Sequence, residues 1–97
     1  MAQFELFELP SRQLVCDLQT DLLAAADTRL AAPLVAVTEL RSVSQITPVV
    51  QIDGEVWVVM IPQMGAIPKA ALHRPVGSLA HHRDAIKRAI DILIDGV

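Results

Sequence analysis

Three histidines, one cysteine and a scatter of serines and carboxylates are the side chains of this 97-residue sequence suited to bond-making chemistry. His81 and His82 are adjacent, which on a helix turns their rings about 100° apart, so they cannot chelate one metal ion as an i, i+4 pair can. Asp84 lies three residues after His81, but two ligands do not close a zinc site and a single cysteine supplies no thiolate pair. These side chains are expected on the solvated first turns of a surface helix. Cys16 falls inside a strand pattern, where a free cysteine behaves as a small hydrophobe. Ser11, Ser42, Ser44 and Ser78 occupy turn or cap contexts. No G-x-S-x-G, phosphate-binding glycine loop or recognisable carboxylate pair occurs. The expectation is therefore a binding protein rather than an enzyme, with no catalytic residues and no metal.

Composition narrows what it binds. Eight Lys and Arg against eleven Asp and Glu give a net charge of −3. A pI near 5.4 disfavours nucleic acid, whose phosphates reward many cationic contacts. Phe4, Phe7 and Trp57 are the only aromatic residues, too few to stack several bases. Hydrophobic residues at 53% and charged residues at 20% exclude a disordered chain. The length suits one domain over residues 1–97. One cysteine and an N-terminal decapeptide carrying Glu5 and Glu8 point to the cytoplasm, without a signal peptide. No apolar run reaches the roughly eighteen residues of a membrane span.

The elements that must position any binding surface change character once along the chain. Up to about residue 61 the pattern is of short strands: 3–8, 13–19, 30–40, 49–52 and 55–61. Pro10 and Ser11 mark the first turn, and Pro33 weakens the third strand because it cannot donate to a ladder. Asp53-Gly54 is the two-residue signature of a type I′ hairpin. Pro62, Gly65 and Pro68 predict irregular chain over 62–77, with at most a short strand or turn at 66–72. A helix then runs from about 78 to 94, N-capped by Ser78 and closed by Gly96.

On that helix Leu79, Ile86, Ala89, Ile90 and Leu93 form the core-facing stripe, while Ile92 and Ile94 fall on its two flanks. The apolar arc near the C-terminus thus widens to roughly 200°, about twice what one core needs. Its own sheet or a second subunit must cover it. A chain this short has little material for wrapping, so a homodimer is expected.

Several stretches resemble the CcdB family, the toxin halves of plasmid-type toxin–antitoxin pairs. Residues 15–23 (VCDLQTDLL) are similar to that family's second strand and following loop, and residues 48–57 (PVVQIDGEVW) to its central hairpin. Met60, Met64 and Ile67-Pro68 continue at matching spacing, and residues 79–97 match its terminal helix without gaps. The resemblance implies a mainly β fold with a C-terminal α-helix, an SH3-like twisted antiparallel sheet or barrel of the CcdB/MazF type. It also implies a homodimer that poisons DNA gyrase by binding its A subunit, reversed by an antitoxin with a disordered C-terminal tail. It implies no cofactor, no direct nucleic-acid binding and no membrane association.

Carried onto this sequence, the gyrase-contacting residues are Leu22, Leu23, Asp91, Ile94, Asp95, Gly96 and Val97, with Ile92, Ile94 and Val97 at the dimer contact. The best-known members carry Asn, Phe, Trp, Gly and Ile at the positions of Asp91, Ile94, Asp95, Gly96 and Val97, so Asp95 replaces a large aromatic anchor. Losing such an anchor costs about 2–4 kcal/mol of binding. Alternatives are a toxin-fold protein retargeted or inactivated by that change, or a MazF-like mRNA endoribonuclease. The latter needs a basic groove, for which Arg12, Arg29, Arg41, Lys69 and Arg74 are the scattered candidates.

Overall fold

Asp53 and Gly54 have φ of 52° and 82°, the two left-handed residues a type I′ turn requires. They fold strand β4 (Val49–Ile52) onto β5 (Glu55–Val59), pairing Val50 with Trp57 and Ile52 with Glu55. The computed structural model describes residues 2–23, 25–39 and 44–96. Within them the remaining strands are β1 (Glu5–Glu8), β2 (Leu14–Asp17), β3 (Thr28–Ala36), β6 (Gly65–Pro68) and β7 (Pro75–Ser78). The helix α1 (Arg83–Asp95) closes the order. All pairings are antiparallel, in the order β4-β5-β3-β2-β1-β7 with β6 beside β3, and the sheet curls into a half-barrel. The mainly β expectation with a C-terminal helix holds.

β3 is the spine. Its first residues pair with β6, its middle with β2 and its last three with β5. Pro33 stands at the handover from β2 to β5, so its missing N–H interrupts no continuous ladder. Its carbonyl still accepts a hydrogen bond from the Met60 N–H at 2.8 Å.

Two expectations need correction. The segment 62–77 is more regular than expected: β6 overlaps the short strand or turn expected at 66–72, and β7, starting at Pro75, is a strand where none was expected. Both are short edge strands carrying Pro and Gly, a composition that hides the period-2 pattern. The helix does not begin at Ser78, which ends β7. The Ser78 hydroxyl accepts from the Ala80 N–H at 3.2 Å, and a 3₁₀ turn (Ala80–His82), whose N-cap position is Leu79, precedes α1. Leu79 therefore reaches the core from ahead of the helix.

Alternation places Leu6 and Phe7 on opposite faces of the sheet. Leu6 joins Phe4, Cys16, Leu34, Ile86 and Ala89 beneath α1, while Phe7 joins Val15, Ala31 and Leu72 on the other side. Phe4 takes a φ of 69°, costly for a bulky residue. Its N–H donates to the Asp17 carbonyl at 2.6 Å, its carbonyl accepts from the Leu79 N–H at 2.7 Å, and its ring is buried. Those bonds tie the end of β2 to the approach to α1. No helix among the described residues is long and apolar enough to cross a membrane.

Candidate target-binding surface

Helix α1 is sealed at one end and bare at the other. Ile86 and Ala89 are fully buried and Ile90 packs against the same cluster, yet Leu93 is 38% exposed and Ile94 67%. Leu93 shares the angular stripe of Ile86 but lies past the edge of what the sheet covers, which corrects its assignment to the core. Ile92 is half-buried. Gly96 ends the helix in the left-handed conformation at φ 78°, its N–H donating to the Ile92 carbonyl at 2.9 Å, as the sequence predicts.

Asp91 and Asp95 are both exposed and stand one turn apart on this last stretch, with no basic side chain in the final turn. Like charges at i, i+4 and acidic groups at the negative end of the helix macrodipole each weaken a helix by a few tenths of a kcal/mol. The tip is thus an apolar pair, Leu93 and Ile94, set in local negative charge. Val97 lies outside the described residues.

Leu22 and Leu23 belong to a different element. They form a 3₁₀ turn with Asp21 in the β2–β3 connection, none of the three buried, Leu22 being 93% exposed. The base of that connection holds what the sequence reading missed. Arg29, named above among the candidates for a basic groove, is completely buried against the equally buried Asp17. Its Nε donates to both Asp17 carboxylate oxygens at 3.2 and 3.0 Å, and its Nη2 lies 2.7 Å from Oδ2. The available signal was a lone carboxylate between Cys16 and Leu18 in an apolar strand.

The other side chains with chemical potential do not converge. Arg12 sits on the β1–β2 connection and Lys69 and Arg74 at the two ends of the β6–β7 connection, Arg74 pairing with Glu8 at 3.3 Å; Arg41 lies outside the described residues. Burial, followed by the charge of Asp17, pushes the Cys16 thiol up to about 12. It remains a neutral thiol, its Sγ 3.9 Å from the Asp17 carbonyl. His81 and His82 hold ring centroids 4.2 Å apart, and His82 titrates below the usual histidine range through desolvation and the charge of His81. No three His, Cys, Asp or Glu side chains gather in metal-binding geometry among the described residues.

Comparison with known proteins gives this geometry a context. A solved structure described as "Mtb toxin" superposes with a TM-score of 0.73 at 20% identity, covering 88% of this chain and 94% of that one. At that identity the likeness is one of fold. The family model described as CcdB protein matches residues 3–96, from ahead of β1 through the glycine that ends α1. With so nearly complete a match, the chain belongs to the CcdB family.

Proposed function

We propose that this protein is the toxin of a toxin–antitoxin pair, a cytoplasmic homodimer that acts by binding the A subunit of DNA gyrase rather than by catalysis. The carrying observation is the exposure of Leu93 and Ile94 on a helix whose preceding turns are sealed in the core. Apolar side chains held rigidly at the surface are what a protein interface uses for its buried centre. Two copies related by a twofold axis would cover Ile92 and part of Ile94, leaving the paired tips with Leu22 and Leu23 for the target. Family membership supports an antitoxin partner, whose disordered tail would reverse the effect.

Asp95 shapes the expected specificity. A target that buries Ile94 must also meet Asp91 and Asp95, and it does so favourably only through basic groups. This favours a second reading, a toxin retargeted to another partner or another gyrase, in which the aromatic anchor is exchanged for charge complementarity. The mRNA-cleaving reading loses Arg29, which is buried and paired.

Two experiments test the proposal. Expression alone is expected to arrest growth of a related bacterium, and co-expression of the neighbouring antitoxin to restore it; normal growth at high soluble expression would defeat the toxin reading. In a supercoiling assay with gyrase from the source organism, inhibition supports gyrase as target. Arrest without inhibition assigns the retargeted reading.

A further inference from the structure

Apolar packing does not hold Leu22 and Leu23 in place, since their turn has no buried residue. Charge and hydrogen bonds do. Beyond its two-pronged grip on Asp17, the Arg29 guanidinium donates from Nη2 to the Gln19 carbonyl at 3.1 Å, and Nη2 lies 3.6 Å from Asp21 Oδ1. Asp17 Oδ1 accepts from the Gln19 N–H at 2.9 Å, and Asp21 Oδ1 from the Gln3 N–H at 3.0 Å. The side chain of Gln19 returns to β3, accepting from the Leu30 N–H at 3.3 Å. One buried guanidinium therefore reaches the strand before the turn, the backbone leading into it and the turn's first residue.

Stability alone is a poor reason for this arrangement. A buried ion pair can usually be exchanged for apolar side chains without loss, because desolvation cancels most of the attraction. Here the accounting is worse still, because Arg29 Nη1 is buried with no hydrogen-bond partner among the described residues. What an apolar pair could not supply is directed contact with Gln19 and Asp21.

We propose that Arg29 is a positioning residue for the Leu22–Leu23 projection, acting through Asp17, Gln19 and Asp21; this rests on the reading above that the projection meets the target. With the clamp removed, the projection keeps its exposed leucines but loses the orientation in which they meet a partner, and binding bears the ordering cost.

The test uses the full chain and two readouts. The double substitution Asp17→Leu with Arg29→Met removes the clamp without stranding a charge. Amide exchange at Gln19 and Leu23 is expected to quicken by about ten-fold or more while β5 and α1 keep their protection; unchanged exchange at both overturns the proposal whatever the target is. Affinity for the gyrase A subunit is expected to fall by about ten-fold, with no further fall in a background carrying Leu22→Ser and Leu23→Ser. An additive loss there would show that the pair acts through general stability and would overturn positioning. If Leu22→Ser with Leu23→Ser binds as the parent does, the projection is not a target surface, and that reading fails rather than the clamp, which the exchange data judge separately. Should the apolar pair not fold, Asp21→Asn at the exposed end of the network is expected to quicken Leu23 exchange by about three-fold, and no change would overturn the proposal.

Discussion

The helix tip and the 21–23 turn both offer uncovered apolar side chains, and they are held by opposite physics. Ile94 owes its place to Ile86 and Ala89, about two and about one and a half turns earlier, fixed by packing within a fully buried cluster. Leu22 owes its place to an ion pair and to the hydrogen bonds radiating from it. Packing is non-directional and tolerates a change of shape if volume is kept, whereas a guanidinium fork tolerates almost no change of type. The two projections are therefore expected to fail differently.

The largest difference is expected from truncation at each anchor. Arg29→Ala strands the Asp17 carboxylate in the core and should cost about 3–5 kcal/mol in urea unfolding. The paired apolar replacement should be near neutral. Ile86→Ala leaves a cavity under α1 and should cost about 2–5 kcal/mol, with no second substitution that restores it so simply. Equal and recoverable losses at both sites would erase the comparison.

Alkali sharpens it from the side of β2. Below the ordinary cysteine pKa near 9 the thiol of Cys16 is neutral in both folded and unfolded chains, and stability has its full value. From there to about 12 only the unfolded chain gives up the proton, so stability falls as pH rises. Unfolding at pH 8 and 10.5 should differ by about 2 kcal/mol more in the parent than in Cys16→Ala. Matching differences would mean that the thiol is not sealed. The same burial predicts no alkylation of Cys16 in the folded protein at neutral pH.

Association comes next. Ile92→Asp should weaken dimerisation by about 1–3 kcal/mol in sedimentation at low micromolar concentration, and Lys87→Asp should leave it unchanged, because only the first buries a charge in the proposed contact. Identical behaviour of the two variants, or a monomeric parent, would contradict the twofold arrangement. The smallest effect belongs to the end of the helix. Gly96→Ala meets no steric obstacle but forces a side chain to φ 78°, which should cost about 1 kcal/mol in thermal unfolding.

The same contrast explains what could be read from the residues in advance. Asp53-Gly54, Gly96 and the Ile86–Ala89 spacing are local signals with a local cause, and each element stands where its signal places it. β6 carried only a weak signal, the short strand or turn expected at 66–72, and β7 none. Thr28 to Ala31 of β3 pairs with β6, and Glu5 to Phe7 of β1 with β7, so both are defined by neighbours far away in sequence. The Asp17–Arg29 pair was illegible for a like reason, since a charge twelve residues from another looks solvated until β2 and β3 close the sheet over it. Leu93 shows the limit of a helical wheel, which gives direction but not how far a core extends.

The central claim is that the bare end of α1 and the 21–23 turn bind a protein target. Calorimetric titration of the gyrase A subunit with this protein tests it most directly, alongside Leu22→Asp, a substitution at a side chain 93% exposed and outside the proposed dimer contact, and so close to neutral for folding. Saturable binding by the parent that disappears in this variant, at an unchanged melting temperature, is the predicted result. Equal binding by both would contradict the account.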